Sequence, residues 1–394
     1  MIALSGRSKA VRLVQPLTRT VWLIADSSCP VQLRHARAVV VESGEPAPEG
    51  FGMYLVHGEA PSGVVSVSPA IVLPEPLEYL SAGDVLSISA DGSRLRVLWR
   101  QASRQNHVLL TERCDHFCLM CSQPPKLRED DWLLEQAFEL IRLLPRETPE
   151  IGFTGGEPTL YGERLFELLR LCRNLMPAAA LHVLSNGRRF ADRRFADGWA
   201  AIDSPNLMVG IPLYGAESAL HDYIVQARGA FNETVRGLLN LGALQQRIEV
   251  RVVIHKQTAP WLEEIAEFIA RNLCFVEQVA LMGLEMTGFA RANMEDVWID
   301  PVDYQAQLVG AVDLLTSRGI KTMVYNHQLC LTDQRVWPYT VKSISDWKNE
   351  YHSECLRCDL RDRCGGFFMS ARHRMSDHIA AVLIERHTPA VLAG

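Results

Sequence analysis

The feature that most constrains the fold is a repeated alternation of strand-like and helical segments between about residues 105 and 318. Short apolar runs are followed by longer segments in which apolar residues recur at helical spacing. Repeated strand–helix units form a parallel sheet covered by helices, with functional loops after the carboxyl ends of the strands. The pattern therefore predicts an α/β fold, a partial barrel of six strand–helix units. The expected strands are 108–111, 150–154, 180–185, 207–213, 248–255 and 276–282, and the expected helices are 132–144, 161–176, 190–200, 233–244, 261–272 and 301–317.

Different patterns flank this region, so three domains are predicted: 1–104, 105–318 and 319–394. The first is a small β-rich domain, and its runs 85–89 and 95–99 flank a turn in the manner of a hairpin. Beyond Lys321 the regular signals fade, which predicts an irregular C-terminal extension with a tail. The length of 394 residues agrees with more than one domain.

Composition narrows the functional classes. Hydrophobic residues make up 48% and charged residues 22% of the chain, as in ordinary globular proteins. No apolar run reaches the roughly 18 residues needed to span a bilayer, so we expect a cytoplasmic protein without a membrane partner. The net charge of −6 and the lack of a Lys/Arg cluster argue against a nucleic-acid partner.

Ten cysteines carry the chemical information. In a reducing compartment, clustered cysteines more often bind metal or perform chemistry than form disulfides. Cys29, Cys172 and Cys274 stand alone and are predicted to be small buried apolar residues. The other seven form two groups.

The first group has the spacing CxxxCxxC, with Cys114, Cys118 and Cys121 directly after the first predicted strand. Three thiolates on one short loop suit three irons of a 4Fe–4S cluster, which leaves the fourth iron open for a ligand. The alternative is a zinc loop that borrows a ligand such as His116.

A second motif, Gly155, Gly156, Glu157 and Pro158, follows the next predicted strand. The two glycines leave the backbone free to approach a ligand, and carbonyl groups at a strand end can accept hydrogen bonds from an ammonium group. Because both motifs follow neighbouring parallel strands, we expect them on one rim of the barrel.

Together these motifs resemble those of the radical S-adenosylmethionine (SAM) superfamily. The resemblance implies that Cys114, Cys118 and Cys121 hold a 4Fe–4S cluster whose open iron binds SAM. It implies reductive cleavage of SAM to a 5′-deoxyadenosyl radical, which takes a hydrogen atom from the substrate. An external electron donor is then required. The cofactor supplies the difficult chemistry, and the protein supplies orientation and exclusion of water.

The resemblance suggests further SAM contacts. Ser185 and Asn186 end the third predicted strand, where the family contacts the SAM sugar or carboxylate; the alternative is a plain turn. Arg251 in the fifth strand has the charge to pair with the SAM carboxylate, or is simply a polar strand residue. Met120 stands where the family usually has an aromatic residue near adenine, and its sulfur can pack on a ring.

The second group comprises Cys330, Cys355, Cys358 and Cys364. Four thiolates can fully ligate either a 4Fe–4S cluster or a zinc ion. Cys330 is distant in sequence, so His352, His327 or an open iron are alternatives for its place. The CxxCxxxxxC core resembles the auxiliary-cluster (SPASM/twitch-like) extension of radical SAM enzymes that modify ribosomally made peptides, which implies one auxiliary 4Fe–4S cluster.

A closer resemblance is to His-Xaa-Ser system radical SAM maturases of the HxsC type. It rests on the run from Cys118 to Pro125, on 343–349, and on Gly365 to Phe368 after the second cysteine group. It implies a precursor peptide with His-Xaa-Ser repeats as substrate. A second radical SAM maturase or a small protein is the implied partner. The N-terminal β domain is the candidate binding region for the leader peptide or the partner.

The sequence thus predicts a radical SAM peptide maturase, with no residue assigned as general acid or base. One alternative is a radical SAM enzyme that acts on a small molecule in cofactor biosynthesis. The other is a non-enzymatic partner protein that binds an iron–sulfur cluster or zinc. A non-enzymatic partner protein would need neither the open iron nor the Gly155 to Pro158 loop.

Overall fold

The computed structural model describes residues 2–42, 46–58 and 69–384. The chain forms two compact units. The first comprises Met1–Cys114, Lys126–Leu184 and Ala201–Met208, and the second comprises Asp115–Pro125, Ser185–Ala200 and Val209–Gly394. Residues 385–394 of the predicted C-terminal tail lie outside the described residues.

The N-terminal part of the first unit contains two four-stranded sheets, with strand orders β1-β8-β7-β3 and β2-β6-β5-β4. Strands β5, β6 and β7 are buried along most of their length. Their residues Met53, Leu55, Ile71, Leu86 and Ile88 lie in one core cluster. The predicted hairpin is confirmed, since β7 and β8 pair antiparallel. The elements are β1 (Ser5–Arg7), β2 (Ala10–Arg12), β3 (Val21–Leu23), α1 (Val31–Arg34), β4 (Ala38–Glu42), β5 (Met53–His57), β6 (Ala70–Val72), β7 (Val85–Ile88) and β8 (Arg94–Trp99).

The rest of the first unit begins the strand–helix alternation. Helix α2 buries Leu133, Leu134, Ala137, Leu140 and Ile141, the i, i+3, i+4 and i+7 spacing of one helical face. Strand β10 pairs in parallel with both β9 and β11. The elements are β9 (His107–Leu109), α2 (Trp132–Leu143), β10 (Glu150–Thr154), α3 (Glu163–Leu175) and β11 (Ala180–Leu184).

The second unit continues the alternation, and β13, β14, β15 and β16 pair in parallel. Two short strands, β17 and β18, form a separate antiparallel ribbon near the C-terminus. The elements are α4 (Arg193–Ala200), β12 (Leu207–Pro212, which starts in the first unit), α5 (Ser218–Val225), α6 (Ala230–Ala243), β13 (Arg247–Ile254), α7 (Leu262–Asn272), β14 (Gln278–Gly283), α8 (Gly288–Ala292), α9 (Met294–Val297), α10 (Gln305–Ser317), β15 (Lys321–Tyr325), β16 (Thr340–Val341), β17 (Asn349–Glu350) and β18 (Phe367–Phe368).

Strands β9 to β16 form one sheet whose spatial order follows the chain order, which confirms the α/β partial barrel. The six predicted strands are its first six. Strands β15 and β16 extend the sheet beyond the prediction, and the expectation that regular structure fades after Lys321 is wrong at this point. Strand β15 has only two buried residues, Thr322 and Val324, which is too short a pattern to read from sequence. None of the helices in the described ranges is long and apolar enough to cross a membrane.

Candidate active site

The loop with Cys118 and Cys121 is held in the second unit by backbone hydrogen bonds to two helical segments. The Leu119 amide donates to the Ile224 carbonyl (2.9 Å), and the Phe289 amide donates to the Cys121 carbonyl (2.8 Å). The Cys121 amide donates to the Cys118 carbonyl (3.0 Å), which closes a turn between the two cysteines. These backbone hydrogen bonds therefore fix the position of the loop that carries Cys118 and Cys121.

Apolar packing backs this loop. Met120 is buried with Tyr214, Ile224 and Val225, and Cys118 packs against the same cluster. Burial raises the pKa of Tyr214, and the neighbouring Cys118 and Cys121 thiols raise it further. Met120 is thus part of the apolar core behind the loop, and its contact with adenine stays a prediction.

In the first unit, the Gly155–Gly156 loop packs on the backbone that leads to Cys114. The Gly156 amide donates to the Thr111 carbonyl and the Glu157 amide to the Arg113 carbonyl, both at 2.7 Å. A Cβ on Gly156 would lie 2.0 Å from the Arg113 carbonyl oxygen and 3.0 Å from the Cys114 Cβ. The two motifs that the sequence predicted on one rim are in contact here, and the glycines permit that contact.

Glu157 and Pro158 form the start of a short helical turn over Pro158–Tyr161. The buried Glu157 carboxylate accepts hydrogen bonds from the Thr159 amide (2.9 Å) and hydroxyl (2.6 Å). Glu157 therefore serves as the cap of this turn. This role was not expected from the sequence, where the four residues were assigned together to SAM binding.

Asp130 is a site residue that the sequence analysis missed. Its buried carboxylate accepts a hydrogen bond from the Thr111 hydroxyl (3.0 Å), binds the Glu112 amide and pairs with Arg113 at 3.1 Å. All three partners precede Cys114, so this carboxylate holds the entry to the first cysteine motif. The sequence around Asp130 contains no motif that would indicate a role in holding the residues before Cys114.

Ser185 and Asn186 are both buried at the start of a turn in the second unit. The Gly187 amide donates to the Ser185 hydroxyl (3.1 Å), and the Asn186 amide group donates to the Asp115 carboxylate (2.6 Å). Asp115 lies between Cys114 and Cys118 in sequence. Asn186 therefore braces the cysteine loop, Ser185 closes the local turn, and a SAM contact from either side chain stays a prediction.

Arg251 lies in β13 and is about one-fifth exposed. Its guanidinium pairs with the buried Glu249 carboxylate at 2.6 Å and contacts the Met282 sulfur at 3.1 Å. Glu249 already supplies a carboxylate partner, so pairing with the SAM carboxylate stays a prediction.

His116, the alternative ligand for a zinc loop, is buried. Burial lowers its pKa to about 4, with a further lowering by the Arg188 charge, although the neighbouring Asp115 carboxylate acts in the opposite direction. The imidazole is therefore neutral at physiological pH.

The four cysteines of the second group meet in the second unit. Burial raises the pKa of the Cys330 thiol, and the adjacent Cys364 and Cys355 thiols raise it further. Cys355 is influenced in the same way by Cys364 and Cys358. Leu329, Leu360 and Trp337 pack around Cys358 and Cys364. The distant Cys330 is thus an electrostatic neighbour of Cys364 and Cys355, and the four-cysteine ligand set stays a prediction.

The alternative ligand His327 is already engaged. Its Nδ1 lies 2.9 Å from the Tyr325 carbonyl, which can only accept, so Nδ1 carries the proton. The Tyr304 hydroxyl then donates to Nε2 at 2.9 Å. Burial lowers the pKa of His327 to about 4 and keeps it neutral. The other alternative, His352, stacks edge-to-face on Phe367 at 4.8 Å.

Both cysteine sets supply thiol donors of the kind that iron–sulfur clusters use. In residues 2–42, 46–58 and 69–384, no group of three or more His, Cys, Asp or Glu side chains is arranged to hold a metal ion as it stands. Four converging thiols also suit zinc, so the choice of metal at the second group stays open.

The isolated cysteines differ from one another. Cys172 is buried, as predicted, and burial raises the pKa of its thiol to about 12. Cys29 is partly exposed and Cys274 is exposed, so the prediction of a buried apolar residue is wrong for Cys274. Cys274 lies in the short connection between α7 and β14, where the chain turns at the surface.

A pocket of about 70 Å³ opens in the second unit at the carboxyl ends of β13, β14 and β15. Leu284 forms part of one wall and also packs on the apolar cluster behind Cys118. Gln328 and Leu331 flank Cys330, and Phe367 follows Cys364 closely in sequence. The pocket therefore lies between the loop of Cys118 and Cys121 and the second cysteine group, a location that the sequence did not reveal.

Comparison with known proteins identifies the class of the central region. Residues 108–269 match the model of the Radical SAM superfamily, so this region is a radical SAM domain. No curated protein is detectably similar to the chain.

Two solved structures are similar to parts of the chain. The structure of SuiB from Streptococcus suis bound to S-adenosylmethionine is 16% identical over 59% of this chain, with a TM-score of 0.45. The chain covers 51% of that structure, about half its length. Native anSMEcpe with bound AdoMet is 14% identical over 70% of this chain and 91% of its own, with a TM-score of 0.50. At these identities the likeness to anSMEcpe concerns the fold.

Proposed function

We propose that this chain is a radical SAM enzyme that modifies a ribosomally made precursor peptide of the His-Xaa-Ser type. The observation that carries the proposal is the CxxxCxxC motif at the first strand of a radical SAM domain, with the Gly155–Gly156 loop packed on its Cys114 end. Cys114, Cys118 and Cys121 are the proposed ligands of a 4Fe–4S cluster. When bound, the cluster and SAM supply the radical that removes a hydrogen atom from the substrate.

Residues of the chain have separate tasks in this proposal. Gly155, Gly156, Glu157 and Pro158 support the cysteine loop and offer backbone groups to SAM. Ser185, Asn186 and Arg251 are proposed to bind or orient its polar groups. Met120 provides an apolar surface for adenine.

The pocket between the two cysteine groups supports a substrate position there. A substrate in it would lie beside the apolar wall that backs Cys118 and also beside the second cysteine group. Cys330, Cys355, Cys358 and Cys364 are proposed to bind an auxiliary 4Fe–4S cluster that accepts an electron or anchors the peptide. An external donor would supply the first electron.

Peptide as the substrate class is supported by the resemblance of the second cysteine group to auxiliary-cluster extensions. The related structures include SuiB bound to the precursor peptide SuiA and anSMEcpe with a bound peptide. A second radical SAM maturase or small partner protein, and a leader peptide, are proposed to bind the N-terminal region. An apolar cavity of about 220 Å³, lined by Leu4, Val97, Leu133 and Leu140 among others, is a candidate place in the first unit.

The decisive experiment is anaerobic reconstitution followed by iron and sulfide analysis and EPR, with and without SAM. The wild type is compared with a Cys114→Ala/Cys118→Ala/Cys121→Ala variant. We expect about eight irons and a SAM-dependent change of spectrum in the wild type only. About four irons with zinc would make the second site structural. No iron, or no response to SAM, would favour a non-enzymatic binding protein.

The substrate class needs its own test. Mass spectrometry of a co-expressed His-Xaa-Ser precursor should show a mass change that depends on the first three cysteines. An unchanged precursor in the presence of an active cluster would redirect the search to small molecules, as in cofactor biosynthesis.

A further inference from the structure

The pocket between the cysteine groups carries polar groups that the proposed reaction leaves unused. The Arg374 guanidinium lies flat over the Trp298 ring, with 4.3 Å between Cζ and the ring centroid. Arg374 lines the pocket and forms no ion pair with any residue of the described ranges. Stacking fixes the plane of the guanidinium and leaves its N–H groups free at the edge.

A second polar group points to a ligand in the same pocket. The Ser370 hydroxyl oxygen is buried and has no hydrogen-bond partner within the described part of the chain. Buried hydroxyl groups are nearly always paired, so this one needs an acceptor or donor from beyond the described residues. Ser370 and Arg374 lie four residues apart on the same wall.

The surroundings favour a negative charge. Within the described ranges, the pocket lining contains Arg374 and no carboxylate. Of the acidic groups next to the lining in sequence, Asp300 accepts from the Val302 amide, Glu285 pairs with Lys348 at 2.9 Å, and Asp377 is exposed at the surface.

The volume limits the size of the ligand. One water-sized group needs roughly 10–15 Å³, so a pocket of about 70 Å³ accepts about five such groups. That is enough for a carboxylate with its adjoining carbons, and too little for an indole ring or a nucleotide. The aromatic walls, Trp298, Phe367 and Phe368, suit the aliphatic stem of such a group.

We propose that this pocket is a carboxylate-binding subsite, in which Arg374 binds both oxygens of a short acidic group and the Ser370 hydroxyl donates to one of them. The group is the side chain of an Asp or Glu, or the C-terminal carboxylate, of a peptide. The assignment of the carboxylate to a peptide substrate rests on the proposed function; the anion site itself does not.

The test is equilibrium binding, by NMR titration, of three blocked tripeptides to the full chain. The probes are acetyl-Gly-Glu-Gly-amide, acetyl-Gly-Gln-Gly with a free C-terminus, and the fully neutral acetyl-Gly-Gln-Gly-amide. At least one acidic probe should bind about tenfold more tightly than the neutral one, because charge-assisted hydrogen bonds to a carboxylate are strong. The comparison of the first two probes identifies which carboxylate is preferred.

Matched variants locate the effect. Arg374→Gln should abolish the preference for acidic probes, and Ser370→Ala should weaken it a few-fold. Arg372→Gln is the control, since Arg372 is exposed, carries the same charge and does not line the pocket. Equal binding of acidic and neutral probes, or an equal loss in the Arg372 and Arg374 variants, would overturn the subsite. Since the assay needs neither iron nor SAM, its failure is distinguishable from failure of the radical SAM proposal.

Discussion

The two cysteine groups are built in opposite ways. The first places three cysteines within eight residues, and its loop is fixed by backbone hydrogen bonds and close glycine contacts. The second collects four cysteines across 35 residues and depends on the fold to bring Cys330 to the others. The first is therefore a local motif that the backbone positions, and the second is a tertiary site that packing positions.

This contrast predicts that removing thiols from the two groups has different effects on the reaction. The difference is the largest effect that we expect. A Cys355→Ala/Cys358→Ala variant should lose the second metal site and should no longer modify the peptide. It should still cleave SAM to 5′-deoxyadenosine. The reason is that the proposed function assigns separate thiols to the two sites, and it assigns three ligands and an open position only to the first. Chromatography of 5′-deoxyadenosine alongside mass spectrometry of the peptide measures the two outcomes.

The control for that experiment is the first-group triple variant, in which both outcomes should disappear. Cys274→Ala, at an exposed position outside both groups, should change neither. If the second-group variant also lost SAM cleavage while retaining four irons, the two sites would not be independent and the contrast would be broken.

The glycines beside each group provide the next largest effect. Gly156→Ala would place a Cβ 2.0 Å from the Arg113 carbonyl oxygen, so the loop has to move. Overpacking of this kind costs about 1–3 kcal/mol, and we expect most of the iron of the first site to be lost. Iron analysis after reconstitution and a thermal melt measure the two effects.

The matched variant is Gly365→Ala, next to Cys364, where a Cβ would lie 3.2 Å from the nearest atom, the His327 carbonyl oxygen. It should leave the iron of the second site nearly unchanged. A similar loss in both variants would mean that the second site is as closely packed by the backbone as the first.

The same contrast explains what the sequence could predict. The strand–helix alternation and CxxxCxxC are local patterns, so the partial barrel and the first cysteine motif were within reach. The strand from Lys321 to Tyr325 was not, because two buried residues give no detectable period.

Site residues that depend on tertiary contacts were also out of reach. Nothing in the sequence around Asp130, Tyr304 or Arg374 marks them, since their partners are supplied by other elements. The glycines at 155 and 156 were predicted to let the backbone approach a ligand, and that stays a prediction. The structure shows that their immediate neighbour is the backbone of the cysteine motif, a contact that spacing alone does not specify.

Asp130, which anchors the first cysteine group, should contribute more to the free energy of unfolding than Tyr304, which anchors His327 beside the second group. Asp130→Asn replaces one carboxylate oxygen, surrounded by donors near Thr111 and Glu112, with a donating amide. Hydrogen bonds to buried charged groups contribute about 1.5–3 kcal/mol, against about 1 kcal/mol for neutral ones. Tyr304→Phe, which removes the neutral bond to His327, should therefore destabilise less. Denaturant unfolding of both variants measures the order, and the reverse order would contradict this view of the two anchors.

The smallest effect at neutral pH is a proton-linked one in the second group. An imidazole in the unfolded chain titrates near 6.5, whereas burial lowers the pKa of His327 to about 4. Below pH 6.5 the unfolded chain therefore binds a proton that the folded protein excludes, and stability falls as the pH drops from about 6.5 to 4. His327→Gln should reduce this slope by about 1.4 kcal/mol per pH unit and leave the slope above pH 7 unchanged.

Unfolding of the iron-free chain across this range tests the prediction, with Tyr304→Phe as the variant that removes the hydrogen bond but keeps the imidazole. An unchanged slope in His327→Gln would mean that His327 is charged in the folded state, and its assigned hydrogen bond from Tyr304 would then be wrong.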